Sequence, residues 1–185
     1  MRLFLAINLP AEERERLSNE TAPLRAAGLP VRWVPPANLH LTLRFLGSVE
    51  AGLVQPIMDA AARAVDGLEA FDVPISGVGA FPGPHRPRVL WIGAGDVPAL
   101  RRLHAALEEA LAPLGFAPEG RAFQPHVTLG RVHERARARE LAPFADLAAR
   151  IRYRGVLPVR SVDLMRSELA PGGARYERIG GVPLG

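Results

Sequence analysis

Asn38-Leu39-His40-Leu41-Thr42-Leu43 has a near copy in Gln124-Pro125-His126-Val127-Thr128-Leu129, and the pairing of these two stretches decides the fold. Each reads His, apolar, Thr, apolar. Successive strand side chains point to opposite faces, so the alternation sends His40 and Thr42 one way and Leu41 and Leu43 the other. His126 and Thr128 separate from Val127 and Leu129 in the same manner. Residues two apart in a strand lie roughly 6.5 Å from one another, which stands an imidazole beside a hydroxyl on the polar face, at the spacing of one small anion such as phosphate. A single tetrapeptide of this kind occurs in many half-buried strands and means little. Two copies supply a pair of imidazoles, and with them a base for an attacking oxygen and an acid for a leaving one.

Working outward, the two histidines are separated by 126 − 40 = 86 positions, and the same offset carries Arg2-Leu3-Phe4-Leu5 onto Arg88-Val89-Leu90-Trp91 and Leu17 onto Leu103. Each half then runs strand, helix, loop, motif strand, a duplication with two similar lobes that each give one His and one Thr to a shared cleft. The first repeat spans about 1–84 and the second about 85–185 of a single bilobal domain. The rigid loop Pro82-Gly83-Pro84-His85-Arg86-Pro87 reads as the hinge between them.

Between these landmarks, Pro10 with Glu12 and Glu13 opens a helix that ends at Gly28, and Val31 to Val34 is a short strand. Leu53 to Val65 gives a second helix before Gly67. Phe71 to Phe81 and Val89 to Ile92 read as strands. Asp96 is expected to cap a helix whose apolar stripe is Leu100, Leu103, Leu107, Leu111 and Leu114, with His104 beside the stripe as a packing residue. A helix over Leu141 to Ile151 is broken or delayed by Pro143. Strands over Arg152 to Val159, Ser161 to Leu169 and Arg175 to Val182 follow, the last two joined as a hairpin through Pro171-Gly172-Gly173.

The chain has 185 residues, 48% apolar and 23% charged, which suits one globular domain. The absence of cysteine excludes disulfides, thiolate metal sites and cysteine nucleophiles. No apolar run reaches the ~20 residues of a membrane span and no signal-peptide pattern precedes Asn8-Leu9-Pro10, so the expected location is the cytoplasm. All 23 basic residues are arginine and the net charge is +4, a balance that favours phosphate-bearing partners, although a biased genome accounts for it equally well.

The paired tetrapeptides resemble those of the 2H phosphoesterase superfamily, and especially its RNA 2′,3′-cyclic phosphodiesterase branch, the LigT-like or 2′-5′ RNA ligase-like proteins. The likeness runs in order through Arg2 to Pro10, Trp33 to Pro36, His40 to Gly47 and His126 to Arg131. It implies an α+β fold, bilobal and pseudo-two-fold, with antiparallel sheets lining a central cleft and helices outside. It also implies metal-independent opening of a 2′,3′-cyclic phosphate to a 2′-phosphate, without a cofactor. The family analogy makes His40 the proton donor and His126 the acceptor, roles that the residues alone leave open. Thr42 and Thr128 would hold the non-bridging oxygens. Arg131 would join them at the phosphate, yet strand parity puts it on the Leu129 face unless a bulge at Gly130 intervenes. Arg44 has cleft parity, with an exposed, non-catalytic role as an equal alternative. Phe45 or Trp33 would stack on a base or simply pack, and parity favours packing for Phe45.

The expected partner is an RNA or nucleotide with a 2′,3′-cyclic phosphate, tRNA among the candidates, acted on by a monomer with no obligate protein partner. Other readings are a 2′-5′ RNA ligase acting on tRNA halves, a non-catalytic RNA-end-binding module, and a histidine metal site with His85 and His133 as distant candidates.

Overall fold

Apolar residues at every second position build strands and those at three- and four-residue spacing build helices, and the computed structural model, which describes residues 1–170 and 173–185, has both in alternation. The first half contains β1 (Arg2–Asn8), α1 (Ala11–Glu20), α2 (Ala22–Ala26), β2 (Val31–Trp33), β3 (His40–Ser48), α3 (Val54–Val65) and β4 (Phe71–Phe81). The second contains β5 (Val89–Ala94), α4 (Pro98–Leu111), β6 (His126–Val132), α5 (Ala138–Leu141), α6 (Phe144–Arg150), β7 (Arg154–Val159), β8 (Ser161–Ala170) and β9 (Gly173–Pro183). The glycines that end the first helical segment and α3, Gly28 and Gly67, have φ of 69° and 72°, the left-handed turn that glycine takes without steric cost.

All strand pairs are antiparallel, and the strands form one sheet in the order β7-β4-β5-β6-β3-β1-β8-β9, with β2 added on β6. The expected lobes are therefore two halves of one curled sheet, joined where Leu41 of β3 pairs with Val127 of β6. Helices cover its outer face: α3 packs on α4, β8 and β9, α1 on β7, and α6 on β4. The core lies between these helices and the sheet, where Leu5, Leu41, Leu43, Val127 and Leu129 meet Leu103, Leu107 and Leu111 of α4.

The duplication is visible in the pairing. Ile75 of β4 partners Ala94 of β5. The 86-residue offset carries that pair onto Ser161 and Asn8 (75 + 86 = 161; 94 − 86 = 8), which continues the Ala6↔Asp163 register of β1 with β8. Each chain half thus gives a strand to the other half of the sheet: β4 joins β5, and β8 joins β1. The loop from Pro82 to Pro87 consequently does not run between lobes. It closes the β4–β5 hairpin, with Arg88 N–H donating to Phe81 O at 2.8 Å.

Two further expectations change. Asp96 makes no cap for α4, whose first turn follows Val97 and Pro98; its carboxylate pairs with Arg101 instead. The first helix is interrupted at Thr21, whose hydroxyl donates back to Leu17 O at 2.6 Å, and resumes as α2. The β8–β9 hairpin forms as expected up to Ala170↔Gly173, and the turn residues Pro171 and Gly172 lie outside the described residues.

Candidate active site

β3 and β6 lie side by side, so the two motifs meet at the centre of the concave face. Antiparallel geometry about Leu41↔Val127 sets His40 opposite Thr128 and Thr42 opposite His126. The burial of β3 and β6 follows one pattern through seven positions, with half-buried His and Thr on the cleft side and buried apolar residues beneath.

Both imidazoles are held by the same local device. His40 Nδ1 is 2.7 Å from Asn38 O, and His126 Nδ1 is 2.7 Å from Gln124 O. A carbonyl only accepts, so each Nδ1 is the N–H donor and each Nε2 is left facing the cleft. His40 Nε2 lies 3.1 Å from Thr42 Oγ1. Aromatic rings steady the imidazoles: Phe4 (4.9 Å between centroids) and the edge-on Tyr176 (5.2 Å) at His40, and Phe81 (4.9 Å) at His126. Burial holds the pKa of both histidines below the ordinary value, opposed in each case by the backbone hydrogen bond. The nearby His126 lowers His40 further, and Arg131 lowers His126. A proton on one imidazole therefore disfavours a proton on the other, so the doubly charged pair is the least favoured state.

Arg131 reaches the cleft because β6 is bulged. Trp91 of β5 pairs with Thr128 and Leu90 with Gly130, so Leu129 is an extra residue and the parity beyond it reverses. Gly130 is needed there, since a Cβ would come 2.5 Å from Val31 Cγ1. β3 carries the matching bulge at Leu43, between Ala6↔Thr42 and Leu5↔Arg44. It corrects two expectations. Phe45 is not buried in the core: it is 58% exposed on the cleft face, with its ring centroid 6.0 Å from that of Phe4. Arg44 turns away from the cleft and is 6% exposed against α4. Its Nε is 2.9 Å from Glu108 Oε1 but off the hydrogen-bond direction, Nη1 is 3.1 Å from Glu119 Oε1, and Nη2 donates to Ala117 O. Trp33 pairs with Gly130 on the core side, packed on the core and under the Arg25 guanidinium, which lies 5.9 Å from its ring centroid; it is not brought to the cleft.

Beside His126 the cleft deepens into a cavity of about 670 Å³ walled by Phe81, Trp91 and Phe123, with Gln124, Asp96 and Arg101 among its polar lining. Trp91 lies flat over Gly79, where a Cβ would be 2.3 Å from the indole ring. His104 also borders this cavity and stacks on Phe123 at 4.0 Å, in keeping with a packing role.

Two successive matches to the model of LigT-like phosphoesterases cover residues 7–91 and 92–176. The chain belongs to the LigT-like phosphoesterase family. It is 35% identical, over 95% of each chain, to a protein of Methanothermobacter thermautotrophicus named RNA 2′,3′-cyclic phosphodiesterase. A Thermus thermophilus protein of the same name is 34% identical over 95% of this chain and 86% of that relative. The solved structure of E. coli LigT complexed with 3′-AMP aligns with a TM-score of 0.75 at 30% identity, covering 99% of this chain and 97% of LigT. As a LigT-like phosphoesterase, the chain presents its two Nε2 atoms to one cleft from adjacent strands, an arrangement suited to simultaneous proton removal and delivery.

Sequence reasoning missed the polar group that adjoins this LigT-like site in the β1–β8–β9 half. Asp163 is only 5% exposed and accepts from Asn8 Nδ2 (2.8 Å), Ser161 Oγ (3.1 Å) and Arg178 Nε (2.8 Å). No short motif marks these four residues, because three strands must pair before they meet. Among the described residues no three His, Asp or Glu side chains gather as a metal-ligand group, and no helix is long and apolar enough to cross a membrane.

Proposed function

We propose that this LigT-like phosphoesterase hydrolyses 2′,3′-cyclic phosphate ends of RNA or nucleotides to 2′-phosphates by two-histidine acid–base catalysis. The observation that carries the reading is the pair of Nε2 atoms, each freed by an Nδ1 bond to the carbonyl two residues earlier and both facing one cleft. The names of the relatives support the same chemistry.

In this mechanism neutral His126 takes a proton from water through Nε2. The water oxygen bonds to phosphorus as the bond to the ribose 3′-oxygen breaks, and His40, protonated at Nε2, delivers its proton to that oxygen. A 2′-phosphate and a free 3′-hydroxyl result, and one further proton exchange with solvent resets the pair. Each transfer contributes about 10²–10⁴-fold in typical enzymes. Thr42 and Thr128 donate to the non-bridging oxygens. Arg131 adds a permanent charge, and Phe45 offers an exposed ring for a base. Substrates extend from nucleotides to RNA ends such as those of cleaved tRNA, and the enzyme acts as a cytoplasmic monomer.

The test is incubation with a nucleoside 2′,3′-cyclic phosphate in EDTA, with product identified by phosphorus NMR. A 2′-phosphate from the wild type, and losses of at least about 10²-fold in His40→Ala and His126→Ala with unchanged far-ultraviolet spectra, are expected. Full turnover in either variant overturns the mechanism. Addition of a 5′-hydroxyl RNA half with formation of a joined product would instead assign 2′-5′ ligation.

A further inference from the structure

The Asp163 group has no counterpart in the other half of the sheet. The 86-residue offset places Gly77, the bulge residue of β4, where Asp163 stands (163 − 86 = 77), and that half folds without a buried carboxylate. A buried carboxylate is costly unless fully paired, so its retention in one half calls for a reason beyond the fold.

The geometry supplies one. Asp163 engages Arg178 through Nε alone, and among the described residues the two Nη groups have no hydrogen-bond or carboxylate partner. The Arg178 side chain is 55% exposed while its Nε end is fixed. Gly181, opposite Asp163 on β9, makes the space: a Cβ there would come 2.0 Å from Arg178 Nη2 and 2.5 Å from Asp163 Oδ1. Three features therefore converge on one guanidinium: a buried acid, Asn8 and Ser161 that hold the acid, and a glycine that admits the fork. A guanidinium held at Nε with both Nη groups open is arranged to bind phosphate.

Its position relates it to the motifs. Thr42, Ala6, Asp163 and Gly181 form one cross-strand row on the cleft face of β3, β1, β8 and β9. Thr42 and Asp163 are two strands apart, about 10 Å. The floor between them is apolar, where Phe4, Ala6 and Met165 pack with Tyr176. The Arg178 fork lies beside Gly181, toward the next strand, and a nucleotide whose cyclic phosphate sits at the histidines reaches it through its ribose, 5′ carbon and 5′-phosphate oxygens.

Building on the cyclic phosphodiesterase reading, we propose that Arg178, positioned by Asp163, is a second phosphate subsite, which takes the phosphate on the 5′ oxygen of the nucleotide that carries the cyclic phosphate. In RNA this is the internucleotide phosphate, so the subsite selects RNA ends and 5′-phosphorylated nucleotides over simple nucleoside cyclic phosphates.

The test compares adenosine 2′,3′-cyclic phosphate with its 5′-phosphorylated form. Wild type is expected to favour the 5′-phosphorylated substrate by about tenfold or more in kcat/KM, chiefly through KM. Arg178→Gln, and independently Gly181→Ala, which displaces the fork while keeping both charges, should bring that ratio close to one. Arg178→Lys should retain part of it. A ratio of one in the wild type, or an undiminished ratio in both variants, overturns the subsite. If the wild type turns over neither substrate, the hydrolytic reading fails, and calorimetry still reads the subsite. Adenosine 2′,5′-bisphosphate should then bind about tenfold more tightly than adenosine 2′-monophosphate, and equal affinities overturn the proposal.

Discussion

Phe45 and Arg131 occupy the same place in the two halves of the sheet. Each lies five residues after a motif histidine, just beyond a one-residue bulge, exposed on the cleft face, and the 86-residue offset joins them (45 + 86 = 131). One half thus faces the cleft with an aromatic ring and the other with a fixed positive charge, an asymmetry that gives a two-fold site a direction.

Substitutions at these two positions should affect different constants. Arg131→Gln would remove the charge-assisted hydrogen bonds proposed between Arg131 and the phosphate, a class worth about 1.5–3 kcal/mol, so kcat/KM should fall roughly 10–100-fold. Phe45→Ala removes a stacking surface worth about 1–3 kcal/mol and should raise KM with little change in kcat. Steady-state kinetics on a nucleoside cyclic phosphate separates the two, and an unchanged KM in Phe45→Ala would count against a base at that ring.

The pH–rate profile should be bell-shaped and displaced to the acid side. Burial lowers both histidines from about 6.5, and each disfavours protonation of the other, so the optimum of kcat/KM is expected below pH 7. Arg131 is one of the causes that lower His126. In Arg131→Gln the limb belonging to His126 should therefore move to higher pH, and a static profile in that variant would remove Arg131 from the electrostatics of the ring.

The same shifts link stability to pH. His40, His104 and His126 all have folded pKa values below their unfolded ones. At mildly acid pH the unfolded chain binds protons that the native protein does not, so their contribution is fully present above about 6.5 and is lost as pH falls through the folded values. Urea midpoints should decline below that pH, and the decline should be shallower in the His40→Asn/His126→Asn double variant.

Arg44 tests the bulge in β3. Facing α4 rather than the cleft, it leaves the half-buried Glu108 without a counter-charge when replaced, so Arg44→Ala should cost about 3 kcal/mol of stability. Below the unfolding temperature its kcat/KM should stay within about twofold of wild type. A large kinetic loss with unchanged stability would return Arg44 to the cleft.

Much of the site was legible in local pattern. The alternation in His40-Leu41-Thr42-Leu43 and His126-Val127-Thr128-Leu129 is a strand property, as is the stripe of α4 a helical one, and both survive in the structure because they depend on near neighbours. The parity of Arg44, Phe45 and Arg131 was not legible. It depends on Leu43 and Leu129 being extra residues in their ladders, and a bulge is defined by the partner strand, not by the strand that carries it. Asp96 illustrates the same limit at a helix end, where an ion pair with Arg101 and the Val97-Pro98 start replace a cap.

The sequence alone determined the duplication, the strands and helices that make it, and the four motif side chains, since periodicity and a gapless offset need no knowledge of distant contacts. Only the tertiary structure decided that β4 and β8 change places between the halves, that Phe45 and Arg131 turn into the cleft while Trp33 and Arg44 turn out, and that Asn8, Asp163 and Arg178 meet. Those outcomes rest on which backbones hydrogen-bond across the sheet, a choice made between segments far apart in the chain and absent from any local pattern.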